Sequence, residues 1–484
     1  MASVAFHHGT RVFQSGETPL LVKLAQTAVI GIIGTAPDAD AVKFPLNKPI
    51  QLLRPADADG LGLDGTLMTA LDTIWDQAGT AGPPIILVRI EEGEDTAETW
   101  GNAVGSQVAF TGVHGFRRAK PDGLYKPKLL IAPGLTQTSP ADGIASANVT
   151  TAGSGYTTAP AVTVVGSTGG TGAELQAVIA GGAISSILVV KPGWGYAGTL
   201  TVTITGGGGT GGAATANKGS VINPVVAELM GVADQLEAVN YVDGPDTTDQ
   251  AAVQYRGLIN SKRVFIADPK ILKFDTEADL YVPQPSSPMW AARQARMDLE
   301  QGFWWAGSNT EIAGIGGVNR PIEYPGQSNY LNEHRVNTIV NIDGTGFRTW
   351  GVWTCSSDPL WQFVSVVRTC DAVNDALRTS LLTFIDKPFS KANLKFMIEG
   401  CRNFLRMMER EGAILPGHDA WLLDTNTNED MAQGILKLGV KYEPPAPITD
   451  LRVTAYRNIA SYTLLLNQVN QEISATGGSF SAAA

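Results

Sequence analysis

Cysteine is almost missing from this sequence: Cys355, Cys370 and Cys401 are the whole set, far apart and without a C-x-x-C pair. That excludes a disulfide framework or a zinc knuckle and leaves buried free thiols in a reducing compartment as the expectation. Charge is sparse as well. Charged residues make up 17% of the chain and the net charge is −11, a balance unsuited to neutralising phosphates, so no nucleic-acid contact is expected. No apolar run approaches the ~20 residues that cross a bilayer, and no membrane insertion is expected. Met1–Thr10 has neither a basic n-region nor an apolar h-region, so a secretory leader is not expected and the chain reads as made and used soluble. The histidines His7, His8, His114, His334 and His418 are dispersed. There is no G-x-S-x-G elbow. The glycines of Thr27–Gly34 belong to neither a G-x-G-x-x-G nor a G-K-[S/T] phosphate loop. His418 and Asp419 are adjacent, and adjacent side chains usually diverge. Glu91, Glu92, Glu94 and Asp95 read as a solvated turn. Catalytic, cofactor-binding and metal residues are therefore expected to be none, and the chain is not read as an enzyme.

What is present is a large apolar fraction, 44% of 484 residues, enough for about three domains. Thr10-Arg11-Val12-Phe13-Gln14 reads as a short strand isolated by Ser15-Gly16 and Pro19. A lone strand must pair with something to satisfy its backbone groups. Thr27–Gly34 is a continuous apolar run, hence a strand buried on both faces. Thr66–Gln77 has helical apolar spacing, and Ile85–Ile90 follows as a second buried strand. A strand–helix–strand unit implies parallel pairing with a right-handed crossover. Asp95–Val108 reads as a helix and Lys128–Ala132 as a strand.

From about residue 138 to 218 the text changes to Gly, Thr, Ala, Val and Ser. It repeats with a period of about 40 residues: Gly153–Val164 echoes Gly193–Ile204, with Tyr156 against Tyr196 and Val162 against Val202. Alternating Val, Thr and Ile between glycine turns is a β pattern, so a small all-β domain inserted into an α/β host, on the outer surface, is expected. The host pattern then resumes: helix Asn223–Leu236, strand Glu237–Val242, helix Asp249–Asn260, strand Arg263–Ala267, helix Met289–Gln301. Alternation on both sides makes one discontinuous domain.

After residue 330 a second α/β region begins, with strands at Val336–Ile342 and Thr349–Trp353. Pro359–Phe384 is a long helical pattern broken near Leu381. Lys391–Glu411 is an amphipathic helix with Ser390 as N-cap. Met397, Cys401, Phe404, Leu405 and Met408 form its apolar face. Arg402, Arg406 and Arg410 stand one turn apart on the other side. Asp450–Tyr456 and Ile459–Leu466 read as strands before a Ser/Gly/Ala tail.

The most individual stretch is Gln301–Tyr324, where Phe303, Trp304 and Trp305 end a helix and a Ser/Asn/Thr/Gly run leads to Asn319-Arg320-Pro321. This segment resembles the signature of contractile tail sheath proteins of phages and R-type bacteriocins. Thr27–Asp40, Ile131–Gly134, Ala238–Asp243, Asp358–Val364, Ala413–Gly417 and Tyr442–Pro447 resemble further landmarks of that family, in the same order. The departures are the β insert and Ala306-Gly307, where Ser-Pro is common.

The resemblance implies a discontinuous multidomain α/β sheath subunit with an inserted small all-β domain and extended terminal strand arms. Its parts would be an N-terminal arm at 1–20, an α/β domain at 21–137 and 219–330, the insert at 138–218, a C-terminal α/β core at 331–455 and a C-terminal arm at 456–484. It implies a homo-oligomer of stacked helical rings around an inner tail tube, with baseplate and tail terminator proteins at its ends. The particle would be a virion tail assembled in the host bacterial cytoplasm, or a tailocin, whose contraction drives the tube through the cell envelope. Arm contacts would be Thr10–Gln14 and Ser461, Tyr462, Thr463, Leu464, Leu465 and Leu466. Arg402, Arg406 and Arg410 are the candidate tube contact. The rival readings are an α/β enzyme and a carbohydrate-binding or adhesin-type appendage, the latter because Tyr156, Trp194 and Tyr196 could stack on sugar.

Overall fold

A computed structural model describes residues 26–78, 82–276, 278–475 and 477. The chain divides after Pro447 into two units.

The first unit is organised by a six-stranded sheet. Its strands are β1 (Ile30–Thr35), β2 (Pro49–Leu52), β3 (Ile85–Ile90), β4 (Leu129–Ile131), then, after the insert, β11 (Val239–Asp243) and β12 (Val264–Ala267). The order is β12-β11-β4-β1-β3-β2. Every pairing is parallel except β2 with β3. The inner strands read as unbroken apolar runs because both faces are covered. Ile30, Ile32, Ile85, Leu87 and Tyr241 point to one face, against α1 (Leu67–Ala78) and α5 (Ser287–Glu300). Val29, Ile33, Ile86, Val88 and Leu130 point to the other, against α2 (Thr96–Val104) and α3 (Pro224–Leu236). The helix α4 (Asp249–Gly257) packs beside β12.

The insert supplies β5 (Gly143–Ser154), β6 (Ala161–Thr168), β7 (Thr171–Ala180), β8 (Ala183–Trp194), β9 (Ala197–Thr205) and β10 (Thr210–Gly219). The sequence repeat becomes a structural duplication, β5-β6-β7 answered by β8-β9-β10. The two halves exchange partners: β5 pairs with β10, β8 with β7, and β6 with its own copy β9. The two exchanged ladders carry bulges at matching places, Ala213/Ala214 and Asn217/Lys218 against Glu174/Leu175 and Val178/Ile179. Both tyrosines do one job. The Tyr156 hydroxyl accepts from Gly212 N and the Tyr196 hydroxyl from Ala173 N, each at 3.2 Å. Glycine is required beneath them, since a Cβ at Gly170 would lie 2.3 Å from the Tyr196 ring.

The base of the insert is wedged into the host. Trp194 is buried in the same cluster as Leu135, Val225 and Leu229, and Lys191 reaches Glu228 of α3 at 3.4 Å. Excising residues 139–217 therefore removes a host core side chain. Trp194→Ala is expected to lower stability by about 3–5 kcal/mol, read as a fall in the denaturant midpoint at unchanged slope.

Beyond the insert and α5 come a three-stranded sheet of β13 (Ile271–Asp275), β14 (Leu280–Gln284) and β15 (Gly317–Val318), then α6 (Gly326–Glu333) and the hairpin β16 (Thr338–Asn341) and β17 (Phe347–Trp350). The long helical pattern resolves into α7 (Val364–Leu381) with a 3-10 turn on either side. The helix α8 (Lys391–Glu411) starts where Ser390 Oγ accepts from Asn393 N and stops at Gly412, φ 86°. Its buried set is Gly400, Cys401, Phe404, Leu405 and Met408. A two-stranded sheet of β18 (Asp419–Leu422) and β19 (Leu438–Lys441) flanks the short α9 (Asn428–Ala432). All three cysteines are free, and burial pushes the Cys355 thiol up to about 12.

The second unit corrects the sequence reading. Ile459–Leu466 is not a strand: residues Ser461–Ala475 form α10. Tyr462, Leu465, Leu466 and Val469 follow i, i+3, i+4, i+7, a helical stripe that continues past the eight residues Ile459–Leu466 read as a strand. Asp450–Tyr456 is likewise not a strand here, having no ladder partner among the described residues.

Candidate assembly surfaces

The aromatic junction is a strap that fastens three parts of the first unit. Phe303 is buried between α7 and α8, and Trp304 meets it edge-on at 5.0 Å. Trp305 is half exposed, but its carbonyl accepts from Gln294 Nε2 at 2.9 Å. Further along, Asn309 N donates to Thr349 O of β17 at 2.7 Å. Ala313 N donates to Gln77 Oε1 of α1 at 3.1 Å. Arg320 then bridges Asp249 and Asp268, and Asn319 Nδ2 donates to Asp246 at 2.6 Å. These contacts of the segment are all internal, so the strap holds the subunit together.

A second device was not foreseen. The face of α7 that carries Arg368, Asp371, Asp375 and Arg378, at spacings of three, four and three, lies across the amino ends of the parallel strands. Arg368 donates to Thr27 O ahead of β1 and, at 2.7 and 2.5 Å, to Asp298 of α5. Asp371 pairs with Arg263, just before β12. Asp375 takes Lys128 at 3.2 Å, just before β4, while Arg378 reaches Glu237, just before β11, at 2.6 Å. Lys126 joins Glu237 at 3.1 Å. Burial, and then the neighbouring Lys126, lower the Lys128 ammonium to about 8. Burial works against ionisation of Asp375 too, but Lys128, Arg378 and Lys126 outweigh it and hold that carboxyl down at about 2. That contribution is present above the ordinary value of 3.8 and is lost as the pH falls toward 2. Wild type is therefore expected to lose stability over that interval faster than Asp375→Asn, measured by urea melts at each pH.

The residues expected to make contacts between subunits are distributed as follows. Thr10, Arg11, Val12, Phe13 and Gln14 lie outside the described residues. Ser461, Tyr462, Thr463, Leu464, Leu465 and Leu466 open α10, and all six are exposed. Arg402, Arg406 and Arg410 share one side of α8, yet they are not three free cations. Arg402 is bound to Asp419 at 2.8 Å and Glu399 at 3.2 Å, and Arg406 donates to Asn403. Arg406 and Arg410 are exposed. Tyr156, Trp194 and Tyr196 are buried, so they offer no platform for a sugar ring. His418 pairs with Glu409 of α8 at 2.7 Å rather than with its neighbour Asp419.

This arrangement, an α/β body strapped into one piece with an apolar terminal segment left exposed, is the arrangement of an assembly subunit. Comparison with known proteins agrees. Residues 214–355 match the family model of the phage tail sheath protein central domain, and residues 356–456 match the phage tail sheath C-terminal domain. The tail sheath protein of Burkholderia phage BcepMu is 30% identical over 95% of this chain and 98% of its own length. A putative prophage major tail sheath protein of Pseudomonas aeruginosa is 36% identical over 47% of this chain and 61% of its own. The fold matches the helical sheath of the anti-feeding prophage in its contracted state, TM-score 0.60, at 16% identity over 94% of this chain and the whole of that one. The chain belongs to the contractile tail sheath family.

Proposed function

We propose that this chain polymerises as stacked helical rings around an inner tail tube and that contraction of the rings drives the tube through a bacterial envelope. The chain is a structural subunit of a contractile sheath, and its family is one of structural virion tail proteins. The observation that carries the finer reading is the segment after Pro447. Leu451, Val453, Tyr456, Tyr462, Leu465 and Leu466 are each more than half exposed there, and an isolated helix as short as α10 is marginal in water. Such a segment is stable on a second copy. The two-stranded sheet β18–β19 supports the receiving side, since a two-stranded sheet is marginal alone and its edges present unpaired main-chain groups. The alternating residues 451–456 suit strand addition to an edge of that kind. This shifts the pairing segment upstream of Ser461–Leu466, whose stripe Tyr462, Leu465, Leu466 and Val469 packs as a helix instead. The described residues hold no motif for nucleotide hydrolysis, and two packings of one subunit that differ in free energy supply the work of contraction. The ends of the sheath would meet baseplate and tail terminator proteins, and assembly would take place in the host cytoplasm.

Arg402, Arg406 and Arg410 remain the proposed tube contact, with Arg406 and Arg410 the stronger pair because Arg402 is already engaged. A contact that must be released along the whole sheath is best made of weak, salt-sensitive pairs. Arg406→Glu with Arg410→Glu is expected to abolish co-sedimentation with tubes at low salt and to leave thermal unfolding nearly unchanged. Binding equal to wild type at both low and high salt would move the tube contact to another surface.

A further inference from the structure

The parallel sheet has a crevice beside the carboxyl ends of its strands. Strand order reverses between β1 and β4: the chain leaving β1 goes to β2 and β3 on one side, and that leaving β4 goes on to β11 and β12 on the other. At such a reversal the loops leaving the carboxyl ends diverge and leave an opening. Here the opening is a cavity of about 250 Å³. Its floor is the turn where Thr66 N donates to Thr35 O at 3.0 Å and α1 begins. Gly65, at φ +90°, keeps the loop tight, because a Cβ there would lie 2.4 Å from Thr35 O. The wall opposite is formed by Gly134 after β4, with Gln137, Lys270 and Gln284 reaching in.

The lining is chemically one-sided. The chain has 46 Asp and Glu against 35 Lys and Arg, yet none of the residues lining the cavity is a carboxylate, and one is a lysine. Among the described residues no carboxylate lies within ion-pair distance of Lys270 Nζ. Asp243 lies nearby, but its oxygens are taken by Ser287 N at 2.7 Å and Ser287 Oγ at 2.6 Å. The side-chain oxygen of Gln137 is buried without a hydrogen-bond partner. An ammonium and two carboxamides face one small space beside the start of α1, which adds partial positive charge, while the Thr69 and Thr73 hydroxyls donate to the carbonyls of Thr66 and Thr69.

We propose that this cavity binds a small, freely diffusing oxyanion, a carboxylate or phosphate, with Lys270 as its charge partner and Gln137 hydrogen-bonded to its hydroxyl or acid proton. A ligand there would touch the loop after β4, the start of α1, Lys270 before β13 and the turn before α5, so it would stiffen the first unit. The test uses full-length protein with inorganic phosphate, citrate and chloride at matched ionic strength, read by isothermal titration and thermal shift. Citrate or phosphate is expected to raise the melting temperature where chloride does not. Lys270→Gln is expected to weaken binding at least tenfold, and Gln137→Ala to weaken it by less, with the far-ultraviolet spectra of both unchanged. No saturable binding in wild type, or equal binding in Lys270→Gln, would overturn the proposal. A response that grows with protein concentration would overturn it too, because it would assign the cavity to a carboxylate of a second copy.

Discussion

Protein ending at Pro447 is expected to be a folded, soluble monomer that forms no tubes. The five described core clusters lie wholly within the first unit, so the thermal transition of the shortened chain should fall by no more than about 2 °C, well under the shift that 1 kcal/mol produces in a small domain. Assembly should be lost completely rather than weakened. Each main-chain hydrogen bond contributes only about 1 kcal/mol net, but every subunit of a helix loses the same set at once. Tubes of normal length from the shortened protein, seen by negative-stain microscopy, would remove the terminal segment from the mechanism.

The second large effect is internal. Arg368→Ala is expected to destabilise the subunit by about 3–5 kcal/mol, because it leaves Asp298 buried and unpaired. The side chains of Arg368 and Asp298 are 5% and 1% exposed, so water cannot replace the lost partner. Replacing both, Arg368→Met with Asp298→Leu, should recover most of the loss, since a well-packed apolar pair of similar volume avoids the desolvation penalty altogether. Equilibrium denaturation of the single and double variants separates the two cases. A single variant within about 1 kcal/mol of wild type would mean the pair behaves as a solvated one, and α7 would then be held by its apolar face and its remaining ion pairs.

The parts legible in the sequence are those fixed by local spacing. The helix α8 was readable from a capping Ser390, a stop at Gly412 and an apolar stripe at regular intervals. The duplicated insert was readable from its aligned tyrosines, and the parallel sheet from unbroken apolar runs separated by helical patterns. What local spacing misses is contact between distant segments. Arg263 and Asp371 are 108 positions apart, and Arg378 and Glu237 are 141 apart. The partners of the charges on α7 therefore emerge only once the strands are in place. The one signal available was the three-four-three spacing of those charges, which puts two carboxylates flanked by two guanidinium groups on one side of a helix. The terminal arm failed for a different reason. A short apolar run fits both periods, and only its continuation through Val469 favours the helix.

The terminal segment is placed on a neighbouring subunit, and a helical reconstruction of assembled tubes tests that placement directly. Hollow tubes are expected in which residues 448–475 leave one subunit and rest on the next, with residues 451–456 added to a β-sheet edge and the Tyr462–Leu465–Leu466–Val469 stripe buried. A discrete closed oligomer, or tubes in which that segment folds back on its own subunit, would contradict it.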